Sequence, residues 1–203
     1  MPIEPDIVTI PEGTVIMGVP ECALDLEAHV WRRVKVNVPA FGIATHAVTV
    51  AEYLAFANES GYAICEELRT DHRFQNPRAP AAFISWIDAA RYVQWLARMT
   101  DKPYRLLRDA EYEKAARGGL ESKRYPWGDD PPDGRADLGN PDGSPKTVGS
   151  FEPNGYGLFD MVGSVWSWCE ECFNQVAGDD RAKLYYEDTA IKDPSLAPVC
   201  RRG

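Results

Sequence analysis

Two β-branched runs, Ile7-Val-Thr-Ile10 and Thr14-Val-Ile-Met17, flank a Pro11-Glu12-Gly13 turn, and the pattern predicts a short hairpin. Between Trp31 and Val38 the chain alternates. Val34, Val36 and Val38 share one face and Lys35 and Asn37 the other, which predicts a half-buried strand. The period then becomes helical. Thr49 and Glu52 form a capping box, Val50, Tyr53, Leu54 and Ala57 follow at helical spacing, and Gly61 supplies a stop, so a helix is predicted over 50–60. Ser85 and Asp88 open another, whose apolar stripe of Ala89, Tyr92, Val93 and Leu96 runs to Thr100, with Pro103 just beyond. A third, shorter helix is predicted over Asp109 to Arg117, ended by Gly118-Gly119.

From Tyr125 to Gly157, Gly, Pro, Asn and Asp dominate, so this stretch is expected to run as ordered loops. A loop of that length is usually functional or stapled by an ion. Asn154-Gly155-Tyr156-Gly157 offers positions that tolerate positive φ. Asp160 stands alone among Leu158, Phe159, Met161 and Val162, where a carboxylate needs a partner. No repeat or composition shift divides the 203 residues, so one domain spanning 1–203 is expected. Sixteen Gly, sixteen Pro, six Trp and nine Tyr point to turns held by aromatic anchors, an irregular α+β fold.

Charge narrows the function. A formal net charge of -9 repels a phosphate backbone, which argues against a nucleic-acid partner. No apolar run approaches the ~20 residues of a membrane-spanning helix. Glu4 and Asp6 lie where a secretory signal would carry positive charge, so a soluble, cytoplasmic protein is expected. Cys22, Cys65, Cys169, Cys172 and Cys200 are odd in number, which fits reduced thiols better than a disulfide framework. Cys169 and Cys172 form a lone Cys-x-x-Cys without a second pair, read as packed thiols in preference to a metal or redox pair. His29, His46 and His72 are scattered and read as surface or packing residues.

Five segments in order resemble the sulfatase-modifying-factor family, that of the formylglycine-generating enzyme. They are Thr49-Val-Ala-Glu-Tyr-Leu-Ala-Phe56, Ile84-Ser-Trp-Ile-Asp-Ala-Ala90, Tyr104-Arg-Leu-Leu-Arg-Asp-Ala-Glu-Tyr-Glu-Lys-Ala-Ala-Arg-Gly-Gly119, Tyr125-Pro-Trp-Gly128 and Val148-Gly-Ser-Phe-Glu-Pro-Asn-Gly-Tyr-Gly-Leu-Phe-Asp-Met-Val-Gly163. The resemblance implies a C-type-lectin-like fold with little regular secondary structure, two main helices and long ordered loops. Leu107-Arg108-Asp109 replaces the family's Pro-Thr-Glu, which moves the expected N-cap of the third helix to Asp109.

The resemblance also implies chemistry. Family enzymes use a cysteine pair to bind copper and oxidise a substrate cysteine to formylglycine, and soft thiolates suit Cu(I). That pair follows an Arg-Gly-Gly-Ser-Trp motif, and this sequence reads Pro198-Val-Cys-Arg-Arg-Gly203 at the corresponding place. Copper is therefore expected only with the pair, no residue here is assigned a catalytic role, and Cys200 maps to neither position. Calcium is the other implied cofactor. One implied site takes Asp137, the Leu138 carbonyl, Asp142 and the Ser144 carbonyl; a second takes Asp160 and the carbonyls of Gly163 and Val165. Ser167 replaces the second site's glutamate, which removes charge and a bidentate contact, so the first site is the better supported.

Two functions follow as expectations. One is a non-catalytic or non-canonical scaffold that binds a peptide, a glycan or a partner protein. The other is the copper-dependent oxidase, with its cysteines in a C-terminal part beyond these residues. Without that segment an open sheet edge and low solubility are expected.

Overall fold

The computed structural model describes residues 2–18 and 33–170. Four strands form first: β1 (Ile7–Ile10), β2 (Gly13–Met17), β3 (Val34–Val38) and β4 (Phe41–Ala44). The predicted strands are present, but β1 and β2 do not form a hairpin. β1 pairs antiparallel with β4, Ile10 opposite Phe41, and β2 pairs antiparallel with β3, Gly13 opposite Val38. The chain therefore bends at Pro11-Glu12 without reversing, and the opposing strand bends at Pro39-Ala40. Each corner holds a proline, which has no N–H to continue a ladder. The Lys114 ammonium donates to the carbonyls of Pro11 and Gly13 and so satisfies the corner from outside the ladder. Burial pushes its pKa down.

The inward positions of this ribbon, Ile10, Val15, Met17, Val36, Val38, Phe41 and Ile43, close on Ala110 and Ala115 of α4 (Asp109–Arg117) and on Leu158. Val34, Val36 and Val38 do share the sheltered face, with Lys35 and Asn37 more open. A second core lies between α1 (Val50–Ser60) and α3 (Trp86–Thr100), where Tyr53 and Phe56 meet Tyr92, Trp95 and Leu96. Both helices start on capping boxes as their sequences predict: the Thr49 hydroxyl accepts from the Glu52 amide and the Ser85 hydroxyl from the Asp88 amide. Gly61 ends α1 in the left-handed region. The short α2 (Glu66–Thr70) and the 3₁₀ turn His72–Phe74, which the pattern does not announce, add Leu68 and Phe74 to this core.

The start of α4 differs from expectation. Arg108, not Asp109, is its N-cap, and the orphan amide of Arg108 is held by Glu111 Oε2 at 2.8 Å. An arginine side chain has no acceptor to offer, so the carboxylate three residues on does the capping alone.

Beyond Gly118 the described residues contain no helix or strand, only isolated bridges, as the Gly/Pro-rich composition predicts. Asn154 organises this part. Its Nδ2 donates to the Ala115 carbonyl (2.8 Å) at the end of α4, and its Oδ1 accepts from the amides of Tyr156 (2.9 Å) and Leu158 (3.2 Å). Of the four residues 154–157, only Gly157 has positive φ. Gly155 is needed for close approach instead: a Cβ there would lie 2.3 Å from the Gly118 carbonyl oxygen. No helix among the described residues is long and apolar enough to cross a membrane.

Candidate binding cleft

A cleft of about 710 Å³ opens between the α1–α3 core and the loops of residues 137–168. Tyr53, Phe74, Tyr92 and Val93 form its inner wall, and Val165, Trp166 and Trp168 the facing one. Polar groups come from Asp137, Asn140, Ser144, Ser164 and Ser167. The two walls are bolted together by a reciprocal pair of indoles. Trp168 Nε1 donates to the Ile84 carbonyl at 2.8 Å, and Trp86 Nε1 donates to the Cys169 carbonyl at 2.9 Å. The Glu170 amide then donates to the Leu107 carbonyl at 2.8 Å, with Arg108 3.6 Å from the Glu170 carboxylate. Two aromatic residues remain open at this cleft, Phe83 (45% exposed) and Trp166 (68%).

Asp137 is the one charged residue among the described lining residues and is itself buried. Its Oδ2 accepts from the Lys146 amide at 2.9 Å and its Oδ1 from the Gly139 amide at 3.3 Å. Its carbonyl accepts from the Ser164 amide at 2.7 Å, beside a parallel bridge to Gly163. Asp137 of one implied calcium set thus sits against Gly163 of the other. Asp142 is exposed and accepts from the Ser144 amide and hydroxyl at 3.0 and 2.7 Å, while the Ser144 carbonyl accepts from Asn140 Nδ2 at 2.5 Å. The Leu138 side chain is exposed. Asp160, at φ 54, has the partner its apolar setting demands: its Oδ2 accepts from the Gly149 amide at 2.7 Å.

This donor set is oxygen only, and carboxylates with carbonyls suit a hard cation such as calcium, not copper(I). Ser167 lines the cleft and brings no charge, and the Ser144 carbonyl already serves Asn140. The carboxylates of Asp137 and Asp160, one from each implied set, already accept from backbone amides.

Burial raises the pKa of Asp160, the Asp137 charge adds to the rise, and the Gly149 amide and His46 oppose it. A carboxyl with a raised folded-state pKa stabilises the fold most below its unfolded value, about pH 4, and that contribution is lost as pH rises through the folded value. In calcium-free buffer Asp160→Asn is therefore expected to melt higher than the parent near pH 7. The gap should close below about pH 4, which thermal melts across that range will read.

Neither described thiol lines this cleft. Cys65 is exposed at the start of α2, and Cys169 is buried, its carbonyl engaged by Trp86. Cys22, Cys172, Cys200 and His29 lie outside the described residues. His46 is half-buried with Nδ1 2.9 Å from the Ala47 carbonyl, and the His72 side chain is exposed beside Asp71, so the two join no cluster. Among the described residues no three His, Cys, Asp or Glu side chains gather as a metal-binding group.

Residues 2–197 match the sulfatase-modifying factor enzyme 1-like domain. The chain belongs to that family. Within the family, it is 41% identical over 110 residues to a formylglycine-generating enzyme of Thermomonospora curvata, covering 47% of this chain and 34% of that protein. It is 37% identical over 117 residues to the inactive C-alpha-formylglycine-generating enzyme 2 of Mus musculus, covering 52% of this chain and 36% of that one. The matches thus span about a third of each relative's length. The solved structure of PvdO from Pseudomonas aeruginosa superposes with a TM-score of 0.73 at 29% identity, over 84% of this chain and 72% of that one. The fold is the α+β fold of this family.

The family resemblance supplies the segments, but not the way they meet. Neither the exchanged indole bonds of Trp86 and Trp168 nor the exposed Phe83 is announced by the sequence pattern. The one available signal is chemical: a half-buried indole N–H needs an acceptor, and Trp86 and Trp168 are both half-buried.

Proposed function

We propose that this family member acts through its cleft as a non-catalytic scaffold that binds an extended peptide. One observation carries the reading: the cleft is lined by apolar and aromatic side chains and a few hydroxyl and amide groups, while the described thiols lie elsewhere. Such a surface buries apolar side chains and orients a backbone. Its described lining residues include no soft, redox-active ligand. Calcium, in this reading, serves as a loop staple at the implied site of Asp137, Asp142 and the Leu138 and Ser144 carbonyls.

The test uses a fluorescein-labelled peptide carrying the sulfatase cysteine motif. Anisotropy should report saturable binding, and mass spectrometry after incubation with copper and oxygen should find the cysteine unchanged. An aldehyde product would overturn the scaffold reading in favour of the second one, a copper-dependent oxidase that converts cysteine to formylglycine. The similarity to the Thermomonospora curvata enzyme favours that alternative.

A further inference from the structure

The exposed Phe83 has φ 57, a left-handed conformation that a bulky side chain avoids. Such a residue persists only where its surroundings hold it. Two contacts do so. Its ring packs edge-on against Phe74 with centroids 5.0 Å apart, and the carbonyl of the next residue, Ile84, takes the 2.8 Å hydrogen bond from Trp168 Nε1. On the opposite wall the Trp86 indole fixes the Cys169 carbonyl, three residues past Trp166. Each wall therefore carries an open aromatic ring and is pinned by an indole from the other wall.

We infer that Trp86 and Trp168 are positioning residues that hold Phe83 and Trp166 as the ligand-contacting rings of the cleft. The inference rests on the peptide-binding reading above and adds the residues that set its geometry. Neither indole N–H is free to touch ligand, because each is spent on a backbone carbonyl. The effect of each N–H must therefore travel through the segment it pins, apart from contacts of the Trp168 ring, which itself lines the cleft. Trp168 acts on Phe83 through Ile84. Trp86 acts on Trp166 through the Cys169 end of its segment.

Substitution by phenylalanine removes the N–H and keeps an aromatic ring. With the same fluorescein peptide, Trp168→Phe should weaken binding by about five- to tenfold, the affinity equivalent of one hydrogen bond to a backbone carbonyl. In a Phe83→Ala background the same change should cost less than about twofold, since residues acting through one another are not additive. Trp86→Phe should behave alike, its loss disappearing in a Trp166→Ala background. Circular dichroism melts of each variant accompany the titrations.

A general structural role would give equal losses in both backgrounds, and that result overturns the inference while leaving peptide binding intact. Full affinity in both single variants overturns it too. A parent chain that binds no peptide removes the reading and this inference together. If one single variant fails to fold, the other cycle decides between the two roles.

Discussion

Phe56→Ala is expected to lower stability by about 4 kcal/mol, the range for removing a buried aromatic side chain and leaving its cavity. Phe56 is 2% exposed at the centre of the α1–α3 core. Its ring lies 5.4 Å from Tyr53, 5.2 Å from Tyr62, 5.8 Å from Tyr92 and 5.4 Å from Trp95, centroid to centroid. Four aromatic neighbours, spread over α1, the segment just after it and α3, cannot all collapse into one void, so relaxation should recover little of the loss. Phe56→Leu keeps more of the volume and should cost less than half as much. Urea titrations followed by far-ultraviolet circular dichroism will order the two. Tyr53 and Tyr92 also line the cleft, so the alanine variant should lose peptide affinity along with stability.

What the sequence revealed and what it hid divide along a physical line. Helix starts are written locally: Thr49 and Glu52, or Ser85 and Asp88, make their bonds within three residues, and the structure holds both. Strand existence is local too, since β-branched alternation needs no partner to be seen. Strand pairing is not local. The Pro11-Glu12-Gly13 corner looks like a reversal until Lys114, about a hundred residues away, is known to hold its carbonyls. The N-cap of α4 shows the same limit in small, because Asp109 fits the residue preference while Glu111 reaches the amide. In the long loop, composition announces irregular backbone and Asp160's need for a partner, but the path depends on Asn154 reaching the end of α4. The cleft is hidden for the same reason. Its walls meet through hydrogen bonds joining residues 83 and 84 positions apart, and no periodicity reports a contact at that range.

Gly163→Ala is the sharpest test of how the loop wall is placed, with an expected loss of about 3 kcal/mol. Two costs add at this position. At φ 83 an alanine occupies the left-handed region, at about 1–2 kcal/mol. Its Cβ would also lie 2.3 Å from the Asp137 carbonyl oxygen and 3.0 Å from the carbonyl carbon. Backbone cannot swing aside as a side-chain end can, so overpacking adds about 1–3 kcal/mol. Gly157→Ala separates the two terms. It has a similar φ of 79 and nothing within 4 Å of the added methyl, so it should show the conformational cost alone, about 1–2 kcal/mol. The difference between the two melts isolates the contact with Asp137. That contact matters because the Asp137 carbonyl, 2.7 Å from the Ser164 amide, is where the residue 163–168 wall joins the loop that carries the cleft's buried carboxylate. If the wall is positioned there, Gly163→Ala should weaken peptide binding at temperatures where the chain is still folded, and Gly157→Ala should leave it unchanged.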